Sequence, residues 1–339
     1  MKGDSCRVGV TMPIEDGLSA PQMVELIRLA EQGGFHTALC GEVAGPEVMA
    51  LLGAAAQATS RIRLGTGIVA SYTRSPALAA MGFATLSSLA PGRIVAGIGA
   101  SSPIVVGKWH GLDFDKPFSR TKEFVERMKE CLSGDRVVSD GPILPVDGFR
   151  LATDPEGPVP LWLAAINDRM LRLAGAVADG VFLTWCPPDE VAEKVAIVRS
   201  GAIEAGRDPD DIEVVCSFWG YAGQECDRTI ARLKRVVLQY AMVPTHMAAF
   251  THAFPRLVDA ADAWTAGDRA SALSFVDDEV VAVLCAVSED GSATADMVRE
   301  YHAAGVDTPI VLAIGSGNGD TDGPFSTVQL TGARLGLGT

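Results

Sequence analysis

The chain has 339 residues, 48% of them hydrophobic and 21% charged, with a formal net charge of −14. That length and apolar content can bury one large core, and α/β barrels routinely hold such a length in one domain. The acidic balance argues against phosphate backbones and anionic lipid, which are bound through clustered Lys and Arg, so neither nucleic acid nor membrane is expected as a partner.

From the N-terminus, MKGDSCRVGVTMP has no sustained apolar stretch before a small-residue cleavage site, and no later run reaches the roughly 18 apolar residues of a spanning helix. A soluble, cytoplasmic protein is the expectation. Short apolar runs of strand length then alternate with amphipathic segments, the pattern of successive βα units around a parallel sheet buried on both faces. The first strand is expected at 7–13. In the helix that follows, Met23, Leu26, Ile27 and Ala30 form one apolar face and Gly33-Gly34 stops it. Strands are expected next at 37–42 and 62–69, then a helix whose Leu78, Met81, Thr85, Leu86 and Leu89 are spaced to face the sheet. After a fourth strand at 93–97 comes a long stretch, 100–159, holding a helix near 117–132 and a turn-rich strand candidate around 143–151. A strand at 160–165 leads into a helix carrying Met170, Leu171, Ala174 and Val177, and further strands are expected at 180–184 and 212–218. A second long stretch, 220–308, holds several helices, among them 232–242 and 278–287, before the last strand at 309–313. The glycine- and aspartate-rich 315–323 reads as a flexible connection to a tail.

Eight strands matched by helices predict a (β/α)8 TIM barrel spanning 1–314 as one domain, with a tail over 315–339. The segments 100–159 and 220–308 follow strands, so in a barrel both insertions begin at the C-terminal face, where active sites form.

The seven cysteines, Cys6, Cys40, Cys131, Cys186, Cys216, Cys226 and Cys285, are scattered and never form a Cys-x-x-Cys pair. Neither a disulfide framework nor a metal site is expected from them. In LGTGIV, Gly65 and Gly67 flank Thr66 where a barrel strand normally carries branched residues. They mark either a plain bend or a backbone that a ligand approaches closely. In GIGASS, the glycines Gly97 and Gly99 and the hydroxyls of Ser101 and Ser102, with free N–H groups, suit an anion nest. Pro103 breaks any dinucleotide fingerprint. Ala164-Ala165 leave room beside the fifth strand, Asn167 or Asp168 caps the next helix, and Thr184 and Trp185 end the sixth strand at the same rim. Glu15 and Glu42 follow the first two strands and are the candidate proton-handling carboxylates, against the alternative that both are ordinary surface charges. His110, His246 and His252 show no metal-ligand spacing, and neither a Gly-x-Ser-x-Gly nor a His-Glu-x-x-His motif occurs.

Together LGTGIV, GIGASSPIVVGKWHG, LAAINDRMLRLAGAVADGVFLTWCPP and YHAAGVDTPIV resemble the deazaflavin-dependent branch of the luciferase-like superfamily, above all the group containing methylenetetrahydromethanopterin reductase. The likeness runs from about residue 7 to about residue 314 and lies in the order and spacing of the motifs. It implies a barrel with inserted helices, a homodimer, and coenzyme F-420 with its ring at the C-terminal mouth. It also implies a non-prolyl cis peptide at Gly67-Ile68, with ring and phosphate held around Ser101, Ser102, Val105 and Val106, and Ala164, Ala165 and Thr184 lining the remaining wall. Lys108, Arg74 and Arg169 are cations near that rim. Where many members carry a His after the acidic residue ending the second strand, this chain has Val43. The reading is an F-420-dependent oxidoreductase passing a hydride between coenzyme and a small organic substrate, with Glu42 or Glu15 handling the proton. The alternatives are a monooxygenase using reduced FMN and a non-catalytic cofactor-binding protein.

Overall fold

A parallel ladder joins eight strands into a ring in the computed structural model, which describes residues 7–338. In chain order the strands are β1 (Gly9–Thr11), β2 (Thr37–Cys40), β3 (Arg63–Thr66), β4 (Val69–Ala70), β5 (Ile94–Gly99), β6 (Val137–Ser139), β7 (Val146–Phe149), β8 (Leu161–Ala165), β9 (Gly180–Thr184), β10 (Glu213–Ala222), β11 (Cys285–Ser288) and β12 (Thr308–Ala313). The ring runs β1-β2-β3-β5-β8-β9-β10-β12 and closes through β12 on β1. It is the closed parallel barrel surrounded by helices that the strand count implies. The eight expected strands all exist, their ends moved by a few residues. β4 continues the third one past the Gly67-Ile68 bulge and pairs with β5. β7 falls within the turn-rich strand expected at 143–151, and β6, which was not expected, pairs with it as a hairpin.

Side chains alternate across each barrel strand, and one set fills the interior: Leu39, Val95, Trp162, Phe182, Val215 and Ile310. Below them, at the strand starts, Arg63 grips Glu213 through two hydrogen bonds of 3.0 and 2.7 Å, while Thr308 donates to the same carboxylate at 3.0 Å. The guanidinium also lies 4.5 Å from the Trp162 ring centre. A charged pair with its hydrogen bonds met thus closes the bottom of the barrel, leaving the top for chemistry.

Local signals set the helices. Helix Ala20–Gln32 buries Met23, Leu26, Ile27 and Ala30 as its spacing predicts, and the Gln22 side chain accepts the Ser19 amide at its start. Ser75 caps helix Pro76–Leu89 by accepting from the Leu78 amide, with Pro76 in the first position. The face expected to pack here is corrected by the structure. Of the expected residues Leu86 is buried, but Leu78, Met81, Thr85 and Leu89 are exposed, and Ala79, Ala80, Phe83 and Ala84 meet the barrel beside Leu86. The helix is apolar nearly all round, so spacing alone did not decide its inner face.

Between β10 and β12 the helices Cys226–Ala241, Met247–Ala253, Leu257–Thr265, Arg269–Ser274 and Asp278–Leu284 build a second apolar cluster over the mouth. It joins Trp185 and Trp219 from the barrel to Leu233, Phe250, Leu257 and Val281. The helix expected over 278–287 stops at Leu284, and Cys285–Ser288 pairs as β11 with the outer end of β10. The expected flexible connection after 315 leads within a few residues into helix Asp322–Leu335, which packs on helix Ala20–Gln32 and β10. Asp320 organises that connection by accepting the Ser316 and Gly323 amides at 2.7 and 3.0 Å. Among the described residues no helix is long and apolar enough to cross a membrane.

Candidate active site

The top layer of the barrel interior is made of small residues. Gly65, Gly67, Gly97 and Gly99 all turn their missing side chains inward, where a Cβ on Gly97 would lie 1.9 Å from the Thr66 carbonyl oxygen. A Cβ on Gly99 would lie 3.0 Å from Ile68 and 3.3 Å from the Ala164 Cβ. The glycines therefore let the Gly67-Ile68 bulge sink against β5 and bring Ile68 beside Ala164. The Gly67-Ile68 peptide is cis. Thr66 fastens the bulge, its hydroxyl donating to the Gly97 carbonyl at 2.7 Å and accepting the Gly97 amide at 2.9 Å.

Above this floor Gly41, Ile68, Ala164, Thr184 and Leu312 are part-exposed, each next to at least one buried strand residue, and they outline a recess open to solvent. Thr11, at the end of β1, is buried beside it with a hydroxyl that has no partner. On the rim, Ser101 and Trp185 both adopt left-handed backbone, with φ of 64° and 55°. Such geometry in residues other than glycine costs energy and clusters at binding sites.

Of the expected residues, Gly67, Ile68 and Ala164 come together at the inner floor, while Ala165, turned into the outer core, shares a small pocket with Thr184 and Trp185. Ser101 and Ser102 follow β5 directly and lead into the π-helical turn Ile104–Trp109. Of the free amides expected in the nest, that of Gly97 is taken by the Thr66 hydroxyl, and the amides of Val105 and Val106, expected around the ring and phosphate, are used inside the turn. The Val105 amide donates to the Ser102 hydroxyl at 3.3 Å and the Val106 amide to the Ser102 carbonyl at 2.9 Å, because the turn uses them internally. Asn167 caps helix Asp168–Val177, accepting the Met170 amide at 3.1 Å.

The expected cations are committed differently. Arg74 donates to Glu42 at 2.6 Å and pairs also with Glu47, and Arg169 lies over the Phe118 ring at 3.7 Å. Lys108 is exposed. Glu42 is thus a paired carboxylate, which also accepts the Val48 amide at 3.4 Å. Glu15 is exposed on the loop after β1, whereas its neighbour Asp16, not singled out in the sequence, is buried against Arg232. Burial raises the Asp16 pKa, and Arg232 only partly offsets it. Arg232 also donates to the Gly315 carbonyl at 2.6 Å, so this pair ties the first loop to the inserted helices and to the end of β12.

Sequence reasoning also missed the wall that the insertion supplies. Trp185 stacks on Trp219 with centroids 3.3 Å apart and planes at 4°, and Tyr240 meets both rings edge-on. Beside them the Met247–Ala253 helix brings Phe250 and Ala253 against Ala165, Thr184 and Trp185. The aromatic density was visible in the sequence, but no local spacing says that residues some 65 positions apart share a wall.

A sequence profile of the family described as luciferase-like monooxygenase matches residues 6–308. The chain is 31% identical over 208 residues to the 5,10-methylenetetrahydromethanopterin reductase of Methanolobus tindarius, a match covering 61% of this chain and 62% of that one. It is 28% identical over 322 residues to the enzyme of the same name from Archaeoglobus fulgidus, covering 91% and 93%. Among solved structures, the coenzyme F-420-dependent tetrahydromethanopterin reductase of Methanopyrus kandleri superposes with a TM-score of 0.79 at 25% identity, over 97% of this chain and 98% of that one.

Proposed function

The chain belongs to the luciferase-like monooxygenase family, and from that premise we propose that it is a coenzyme F-420-dependent oxidoreductase acting on a small organic substrate. The observation that carries the reading is the recess itself. Glycine and alanine at Gly41, Gly99 and Ala164, with the Ile68 bulge beside them, leave a flat apolar floor that a tricyclic ring would cover. The unpartnered Thr11 hydroxyl beside it suits a polar ring edge. The relatives named above point to the same coenzyme.

Bound there, the coenzyme supplies hydride chemistry, two electrons and one hydrogen exchanged with a substrate carbon. The chain's own residues do the rest. Ser101 and Ser102 hold the phosphate side, Thr184 lines the far wall, and the inserted helices keep water from the reacting carbon. Glu42 or Glu15 handles the accompanying proton.

Equilibrium titration of the purified protein with oxidised F-420, FMN and nicotinamide nucleotides tests this. F-420 should bind at least tenfold more tightly than FMN, a difference of about 1.4 kcal/mol. Equal or tighter FMN binding would favour the monooxygenase alternative.

Two further parts of the reading have their own support. A homodimer is supported by the helices Val48–Ala58 and Pro76–Leu89, which pack side by side without one charged residue. They leave Leu78, Met81 and Leu89 exposed on a chain of net charge −14, so like-charged copies could meet there without charge repulsion. A cytoplasmic setting is supported by the unpaired thiols of Cys40, Cys131, Cys186, Cys216, Cys226 and Cys285.

A further inference from the structure

Inward side chains of a (β/α)8 barrel stack in layers drawn from alternate strands. On β9 and β10 the inward residues include Phe182 and Val215 of the interior cluster, while Leu183 and Phe218 face the outer core. Two positions past Phe182 and Val215, Thr184 and Ser217 point inward as well, and they are register partners on these adjacent parallel strands. Carrying the register round the ring puts Ser217 level with Thr11, Gly67 and Ala164, and Thr184 one layer higher with Gly41, Gly99 and Leu312. The mouth is thus divided. One half, on β2, β3, β5 and β8, offers glycine and alanine, and the other, on β9, β10 and β1, offers hydroxyls.

Inward hydroxyls at the bottom of the barrel are used by the protein itself. Thr37 accepts from Arg63 at 3.3 Å and lies 2.8 Å from His36 Nδ1, and Thr308 donates to Glu213 at 3.0 Å. Those at the mouth are not. The Thr11 hydroxyl is buried without a partner, and among the described residues neither Ser217 nor Thr184 makes a side-chain hydrogen bond, although Ser217 is only 4% exposed. Polar groups so enclosed are normally met by a ligand or by water. None of the inward residues in these two layers is charged.

A ring seated on the glycine half turns its free face toward β9 and β10, so a substrate lying on that face meets Ser217 and Thr184. A hydroxyl both donates and accepts. It therefore satisfies a carbonyl oxygen, which only accepts, and also the alcohol into which hydride and proton convert that carbonyl. We infer that Ser217 and Thr184 hold the oxygen on the reacting carbon, and that the substrate couple is an uncharged carbonyl compound and its alcohol. The inference rests on the function proposed above. Hydride from the reduced coenzyme adds to the carbonyl carbon, the π pair of the C=O bond passes to oxygen, and oxygen takes one proton, leaving alcohol and oxidised coenzyme.

The probes are cyclohexanone and methylenecyclohexane, which share a shape and differ in the oxygen. Each is titrated into the protein saturated with oxidised F-420, where a ketone finds no hydride and binding is read from coenzyme fluorescence without turnover. The alkene is the more hydrophobic, so the ratio of the two affinities is compared between variants. Ser217→Ala and Thr184→Val should each shift that ratio about tenfold against the ketone, the scale of one lost hydrogen bond. Ser217→Thr and Thr184→Ser keep the hydroxyl and should keep the ratio. F-420 affinity should be the same in all four variants. An unshifted ratio in either Ser217→Ala or Thr184→Val overturns the inference, as does a ketone that fails to bind the unaltered protein. A tenfold loss of F-420 affinity in Ser217→Ala also overturns it, because the hydroxyl would then belong to the coenzyme. Failure of F-420 itself to bind is seen before any probe is added, and it removes the proposed function and this inference together.

Discussion

Glu42 lies just past the end of β2 and its carboxylate anchors Arg74, so two roles compete for it. If it moves the proton, Glu42→Gln should lower turnover roughly 10²-fold with F-420 affinity unchanged. If it only anchors Arg74, the same replacement should leave turnover near normal and lower the urea midpoint, and Glu15→Gln becomes the variant that stops turnover. His36, beneath the barrel, gives a prediction in pH. Burial, with Arg63 and Arg7 nearby, lowers its pKa from 6.5 to about 4. Between those values the unfolded chain binds a proton that the folded chain refuses, so stability falls as pH drops from 6.5 toward 4. His36→Gln should flatten the pH dependence of the urea midpoint across that window. An unaltered slope would mean that carboxylates such as Glu213, whose pairing with Arg63 is lost at lower pH, carry the whole effect.

The helices Asp168–Val177 and Val191–Glu204 approach until backbone nearly touches backbone. A Cβ on Gly175 would lie 1.9 Å from the Val198 carbonyl oxygen, and one on Gly201 would lie 2.1 Å from that of Arg172. Gly201→Ala should therefore destabilise the protein by about 3 kcal/mol, the upper range for overpacking, although alanine is the better helix former. A denaturant midpoint equal to that of the unaltered protein would show that the pair can separate freely. Elements differ in how legible they were in the sequence. Barrel strands announce themselves because both faces are buried, leaving apolar runs such as Ile94-Val95-Ala96 between turns. The run from Val280 to Val287 is equally apolar and changes from helix to strand in its middle, a switch set by pairing with β10 rather than by its own composition. The floor of the site was legible, because Gly65, Gly67, Gly97 and Gly99 are anomalies within strands. Its far wall was not, because Phe250 reaches Thr184 only through tertiary folding.

At the scale of the molecule, charge is spread unevenly, and the uncharged pair of helices is where a second copy is expected. Met81→Lys should move the protein from dimer to monomer in analytical ultracentrifugation without changing the unfolding midpoint of the monomer. A monomer in the unaltered protein would dispose of the dimer reading. The barrel and the helices between β10 and β12 keep separate apolar cores, the second of which includes Trp185, Trp219 and Tyr221 from the strand ends. Two cores give two cooperative units, and the outer one can open while the barrel stays closed. Amide exchange should accordingly fall into two tiers, with the helices from Cys226 to Leu284 exchanging at a lower free energy than β5, β8 and β9. Since the outer unit covers the mouth of the barrel, saturating coenzyme should slow exchange in that tier more than in β5, β8 and β9. Substrate admission and release then become partial unfolding events, and a residue far from the ring, such as Leu257, would set how often the enzyme opens.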